Sequence, residues 1–442
     1  MSPKSIAVIH LTHTDPSRDS RILKELACVS EYLLQNNIQS QILALGVSSS
    51  QGPPPSNLHA FRIISIKPVR IQLPAFRHFQ HLYDFFCFSI FFIRNSLLDN
   101  RLVVHCHDVY ALPAAAVIKI LKPRTRLIYD AHELESETNS QGRIEGLIVK
   151  ACEFCLWPLI DSFITVSPSI MSWYNKHYGA KPSFLVLNSP VIAEHIHYDS
   201  LNHICDISLK HSLDIPESEK LFLYVGAIGA GRGIDLILNT FSGRPSDHVL
   251  FIGWGELVED IKKVMLSCAN VHYMTPLPHD QLLHCTRQAD YGICMIENIS
   301  KSDYFSLPNK LFEFAFSGLP VIASKFPDIS NVVSSCNLGI LTEHALHDLS
   351  FSLDLIKTKQ FNFNQAKLSK LSWPNQCSKI VACYQHNLYP DVASGMPPKI
   401  LPRSQIRADS KFQHGLGSGW RIDIASSAVM SCITACMPAR ID

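Results

Sequence analysis

LFLYVGAIGAGRGIDLILNTF, residues 221–241, reads as an apolar strand, a glycine-rich turn and a helix with apolar positions at helical spacing. Standing near the middle of 442 residues, it restarts a pattern already run through once. Upstream, SIAVIHL (5–11) predicts a strand, SRILKELACVSEYLLQ (20–35) a helix and QSQILALG (39–46) a second strand. RLVVHCHD, the small-residue helix ALPAAAVIKIL, RLIYDAHE and SFITVS continue the alternation. Downstream, HVLFIGWGE, NVHYM, YGICMIE and PVIAS supply further strands. Strands alternating with longer helices predict an α/β fold with parallel sheets covered on both faces. The restart divides it into two Rossmann-like, doubly wound domains facing across a cleft, residues 1–190 and 191–372, with the turn-rich LNSPVIAE (187–194) as the hinge. Ligands of such sheets bind beyond the carboxyl ends of the strands, so function is expected in the loops that follow strands.

Composition narrows the function classes. Lysine plus arginine number 39 against 38 aspartate plus glutamate, so no overall field recruits nucleic acid, and an anionic ligand must be held locally. The 14 cysteines are scattered, and Cys152 and Cys155 have no second pair at zinc-like spacing, so reduced, buried thiols are expected. The first apolar run is too short for a signal segment, which predicts a cytoplasmic protein. LYDFFCFSIFFI (82–93) is too short to cross a bilayer and contains Asp84; it reads either as a buried helix or, with Lys67, Arg70, Arg77, Arg94 and Arg101 around it, as an interfacial helix on anionic lipid at the inner face of the membrane. Residues 391–442, rich in Pro, Ser and Gly, are expected to form a poorly ordered tail.

Two loops of the second half suit a phosphate. In GAIGAGRG, backbone N–H groups and a helix N-terminus face an anion, and Arg232 adds a charge-assisted contact; the same glycines also serve simply as a tight turn. In SLPNKLFEFAFSGLPVIAS (306–324), Pro308 sets a turn before a helix, the N–H groups of Asn309 to Leu311 lie in its first turn, and Lys310 supplies a cation to a diphosphate. Glu313, one turn later, is placed to accept from vicinal ribose hydroxyls, the plain alternative being an ordinary capped helix.

The first half offers His105, His107 and Asp108 in VVHCHDVYALP, and Asp130, His132, Glu133, Glu135 and Glu137 in LIYDAHELESE, all read as following strands. Without HExxH spacing or a D-x-D pair, a site without metal or cofactor is favoured, with His132 as a neutral hydrogen-bonding or charge-stabilising group. SRDSR (17–21) places Asp19 and Arg21 at the opening of the first helix, where Asp19 is also read as a cap.

These motifs, together with ITVS and FIGWGE, resemble those of family 4 retaining glycosyltransferases of the GT-B fold over roughly residues 5–388. The resemblance implies transfer of a sugar, of hexose type, from a nucleoside diphosphate sugar to a glycan or lipid-linked acceptor hydroxyl, without metal. It implies donor binding by Gly229, Gly231, Arg232, Gly255, Pro308, Asn309, Lys310, Leu311 and Glu313, and an acceptor side of Asp19, Arg21, His107, Asp108, His132 and Glu133. His132, Arg232, Lys310 and Glu313 are the implied catalytic set. SWPNQCSKIVACYQ (372–385) resembles the C-terminal helix that crosses back to the first domain, expected over 373–390. Three features depart from the family pattern: Phe305 stands where a first acid is usual, with Glu297 or Asp303 as substitutes; Ala227 replaces an arginine; and TDPSRDSR lacks a Gly-Gly turn. Two rival readings are a non-catalytic nucleotide-sugar-binding scaffold and an NAD-dependent oxidoreductase, the latter through GAIGAGRG and Glu256.

Overall fold

A computed structural model describes residues 6–47, 61–66, 89–94, 102–139, 142–191 and 208–389. The tail at 391–442, the end of the hinge (192–194) and most of the apolar segment around 76–101 lie outside the described residues. Of that segment, residues 89–94 are helical, and Phe92 is buried in the first domain's core.

Seven strands build the first sheet: β1 (Ile6–Leu11), β2 (Ser40–Val47), β3 (Arg62–Ile66), β4 (Leu102–His107), β5 (Arg126–Ala131), β6 (Ser162–Thr165) and β7 (Ser183–Leu185). Their order is β3-β2-β1-β4-β5-β6-β7, and every pairing is parallel. The second sheet contains β8 (Lys220–Ala227), β9 (Asp247–Trp254), β10 (Val271–Met274), β11 (Tyr291–Cys294), β12 (Val321–Ser324) and β13 (Gly339–Thr342), ordered β10-β9-β8-β11-β12-β13 and also parallel. In both sheets the chain winds outward from the first strand in one direction and then in the other. This reversal opens a crevice at the carboxyl ends, between β1 and β4 and between β8 and β11.

Strand parity divides the cores. Ala7, Ile9 and Leu11 pack on one face of β1, and Ile6 and Val8 on the other. In β8, Leu221, Leu223 and Val225 face away from Phe222 and Tyr224 in the same manner. Helix α1 (Ser20–Gln35) buries Ile22, Leu26, Val29 and Leu33, spaced as one helical stripe, against the first sheet. At about 1.5–3 kcal/mol for each fully buried aliphatic side chain, this stripe outweighs the helix's intrinsic propensity in fixing it there.

The helix Trp373–Leu388 returns to the first domain. Trp373, Ile380, Cys383 and Tyr384 join the core around α1, Asn387 Nδ2 donates to Ser162 Oγ at 2.9 Å, and Cys377 is joined to Cys28 in a disulfide. The expectation that all cysteines are reduced, buried thiols is therefore corrected at this pair, and Cys155 is exposed. Cys28 and Cys377 meet because two helices 349 residues apart in sequence cross over one sheet, a proximity that spacing does not reveal.

Contacts also join the domains near the crevice. Leu134 N–H donates to Ser302 Oγ at 3.2 Å, Ser169 N–H to Asp328 Oδ2 at 2.9 Å, and Lys301 pairs with Glu137 at 3.3 Å. Phe305 packs against the first domain's core.

Candidate functional site

The glycine loop after β8 turns through Gly231 and Gly233, both left-handed at φ 79° and 70°, and enters the helix Ile234–Ser242. Gly255 is required where the loop after β9 passes beneath it: a Cβ there would lie 2.0 Å from the Ile228 carbonyl oxygen. The loop's amides are less open than the sequence suggested. Gly233 N–H donates to Glu297 Oε1 at 2.9 Å, and Ala230 N–H donates to Glu256 Oε1 at 3.2 Å. Glu256, on which the oxidoreductase reading drew, thus holds the neighbouring glycine loop. Arg232 remains partly exposed, paired with Asp303 Oδ1 at 3.3 Å. Neither Glu297 nor Asp303 is a loose substitute for the acid absent at Phe305; one caps the glycine turn and the other holds Arg232.

Pro308, in extended conformation, opens the helix Asn309–Ser317. Asn309 is exposed at its tip. Leu311 belongs to the core and its N–H donates to the Pro308 carbonyl at 3.1 Å, so the donors that this turn offers an anion are those of Asn309 and Lys310, not that of Leu311. Lys310 is 9% exposed; its Nζ lies 3.8 Å from the centre of the Tyr224 ring and has no hydrogen-bond acceptor among the described residues. A buried ammonium without an acceptor is costly, and this one sits at the positive end of a helix. Glu313 is half-buried one turn on, and its charge is felt across the crevice by Lys24 of the first domain, whose ammonium burial and Arg21 bring down to about 8. The buried Cys294 thiol at the end of β11, which burial pushes up, feels the charges of Lys310, Arg232 and Glu313.

The opposite wall is His132, just after β5. Its Nδ1 lies 3.4 Å from Asp108 Oδ1 and its Nε2 lies 3.2 Å from Asp130 Oδ2. Burial disfavours the cation, but Asp108 and Asp130 outweigh it and raise the imidazole to about 9. The neutral His132 of the sequence reading is therefore corrected to an imidazolium, and the charge-stabilising alternative fits. Asp108 adopts a left-handed φ of 62° and is backed by Glu135, a carboxyl that burial and Asp108 push well up. Glu133 is exposed and feels Arg232 across the crevice.

Three residues expected on the acceptor side do other work. Asp19 is the cap of α1, its carboxylate accepting from Arg21 N–H at 2.9 Å and Ile22 N–H at 3.1 Å. Arg21 is buried, bonded through two nitrogens to Asp130 at 2.9–3.2 Å and lying 3.1 Å from Glu25. Against burial, Arg21 foremost and then His132 hold Asp130 well below the usual carboxylate range. His107 is fully buried beneath His132 and, like His105, lies inside β4 and not in the loop after it.

Sequence reasoning missed His10, Glu25, Tyr224 and Tyr384. The available signal was parity: His105 and His107, two apart on a strand, share a face, and His10 on β1 is the register partner of His105. His10, Glu25, His105 and His107, or His107, Asp130 and His132, lie close enough to surround a cation. The donor set fits one poorly, because the Arg21 guanidinium, itself a buried cation, already pairs with both carboxylates.

No family profile matches the chain. The O-antigen biosynthesis glycosyltransferase WbnH of Escherichia coli is 24% identical over 148 residues, covering 32% of this chain and 39% of that protein, so the match spans well under half of the relative's length. Among solved structures, sucrose-phosphate synthase from Thermosynechococcus elongatus superposes with a TM-score of 0.61 at 16% identity, over 87% of this chain and 96% of that one. HepE of Anabaena, solved in complex with UDP, gives 0.53 at 11% identity, over 87% and 95%. The chain shares with these structures the GT-B-like fold of two parallel α/β sheets.

Proposed function

We infer that the protein is a retaining glycosyltransferase that moves a sugar, of hexose type, from a nucleoside diphosphate donor to an acceptor hydroxyl in surface polysaccharide or glycolipid assembly. The observation that carries this reading is the Lys310 ammonium, buried at a helix N-terminus in the crevice without an acceptor among the described residues. A diphosphate supplies the anion that Lys310 lacks, and Arg232 lies on the neighbouring loop. Departure of a nucleoside diphosphate develops negative charge, which Lys310, Arg232 and the amides of Asn309 and Lys310 stabilise electrostatically. Glu313 takes the ribose hydroxyls. His132, as an imidazolium held by Asp108 and Asp130, stands on the opposite wall, where its positive charge opposes the negative charge developing on the departing diphosphate. The chemistry requires no metal in this scheme.

The role of the Escherichia coli relative supports the surface-polysaccharide setting, and UDP in HepE supports a nucleoside diphosphate ligand. No helix among the described residues is long and apolar enough to cross a membrane. Peripheral contact at the inner face of a membrane through residues 76–101, mostly outside the described residues, belongs to the same proposal.

The test is a thermal-shift screen against UDP, GDP, CDP, ADP, their sugar conjugates and NAD, with and without magnesium. Stabilisation by one nucleoside diphosphate and its sugar conjugate, without magnesium, is expected. A response to NAD alone, or to none of these, overturns the reading.

A further inference from the structure

Beneath His132 runs a file of buried groups that the transfer reaction does not itself use. His132 Nε2 lies 3.2 Å from His107 Nδ1, and His107 Nε2 lies 2.9 Å from His10 Nδ1. His10 Nε2 lies 3.0 Å from Tyr384 Oη, which lies 3.1 Å from His105 Nδ1. His105 Nε2 ends the file 3.6 Å from Glu25 Oε2. Everything from His107 to Glu25 is sealed from solvent. Burial, with their mutual repulsion, keeps His10, His105 and His107 neutral.

Proton counting orders this file. A neutral imidazole has one N–H and one lone pair, and a phenol donates once, so each link must donate in the same sense along the chain. In one sense His132 donates to His107, His107 to His10, His10 to Tyr384, and Tyr384 to His105. In the other, His105 Nδ1–H donates to Tyr384 and every bond up to His132 reverses; Glu25, 3.6 Å from His105 Nε2, faces the end of the file without a hydrogen bond to it. His107 Nδ1–H then points at Asp130 Oδ2, 3.4 Å away, and competes with His132 for it. Tyr384 is the one link contributed by the helix that returns from the second domain.

We propose that Tyr384 is a positioning residue for His132: by joining His10 to His105 it orders the chain so that His107 turns its Nδ1 lone pair, and not a competing N–H, toward the single His132 Nε2–H that Asp130 Oδ2 also accepts. The chemical role of His132 rests on the proposed function; the coupling itself does not. The charged and titratable groups around His132 are Asp108 and Glu135, His13 before α1, Arg21 and Glu25 of α1, Asp130 and Glu133 on its own segment, and Arg232 across the crevice.

The test follows the His132 resonances through a pH titration of the full-length protein labelled with 15N-histidine. Tyr384→Phe keeps the ring and removes the hydroxyl, and is expected to lower the His132 midpoint by about half to one pH unit, the scale of one lost hydrogen bond. Tyr129→Phe removes an equally buried hydroxyl, bonded to Glu153 outside the chain, and is expected to leave the midpoint in place. His10→Asn cuts the chain one link closer to His132, predicts the same fall, and carries the test if Tyr384→Phe does not fold. An unmoved midpoint in the chain variants, or an equal shift in Tyr129→Phe, overturns the proposal. Full transferase activity in His132→Ala would remove the functional reading of His132 while leaving this coupling to be decided by the titration.

Discussion

Replacing Lys310 with methionine separates a ligand-binding lysine from a structural one. Methionine keeps the unbranched stem over Tyr224 and deletes only the charge. In the free protein the ammonium has no acceptor among the described residues, and the aromatic face of Tyr224 at 3.8 Å compensates it by about 1 kcal/mol. Deleting the charge also removes its desolvation cost, so the two effects nearly offset and the melting temperature of the free protein is expected to hold or rise. With a diphosphate bound, the balance changes. Opposite charges about 4 Å apart at the rim of a protein interact by about 4 kcal/mol. Subtracting the cost of desolvating the phosphate leaves about 2–3 kcal/mol, in line with a charge-assisted hydrogen bond. Affinity for the nucleoside diphosphate that stabilises the wild type should fall about 30- to 150-fold. Calorimetric titration measures the second quantity and thermal unfolding the first. Affinity within about threefold of wild type, or a large drop in the melting temperature of the free protein, would refute the assignment of Lys310 as the anion ligand.

Further outcomes concern stability and pH. Glu153 is surrounded by the hydroxyls of Tyr129, Tyr174 and Tyr178, and burial raises its carboxyl from 4.5 to about 7. Its folded state therefore prefers the neutral acid: that stabilisation is complete below pH 4.5 and lost as pH rises through about 7, about 3 kcal/mol in all. Glu153→Gln should melt higher than wild type at pH 8.5 and alike at pH 4.5, which scanning calorimetry at the two pH values checks. Gly255→Ala puts a Cβ 2.0 Å from the Ile228 carbonyl at a φ of 153°, and should cost at least about 2 kcal/mol in denaturant unfolding. Asp108→Asn removes one of the two carboxylates that hold the His132 proton, so the alkaline limb of the transferase pH profile, set in the wild type by a group at about 9, should move to lower pH.

Much of the architecture was legible. The restart at residues 221–241, the strand and helix segments on either side and the placing of Lys310 and Glu313 on one short helix all rest on local periodicity, because residues two apart on a strand or three to four apart on a helix share a face wherever the element lies in space. The same local logic exposes what the loops could offer an anion. It did not disclose that Glu256 and Glu297 occupy two of the glycine loop's amides, since those carboxylates arrive from the ends of other strands.

Charge state and partnership at the site were decided in three dimensions. His132 read as a neutral hydrogen-bonding or charge-stabilising group until Asp108 and Asp130 were found on its two sides. Arg21 looked like an acceptor ligand until α1 laid it against Asp130, 109 residues on. His10, His105 and Tyr384 acquired meaning only when β1 paired with β4 and the last helix crossed over both, as did the disulfide between Cys28 and Cys377. Sequence determined the elements, their order and the residue types in each loop, because backbone geometry and hydrophobic period act over a few residues. Tertiary structure decided which groups meet and which carry a proton, because strand order, burial and electrostatics act between residues that the chain itself holds far apart.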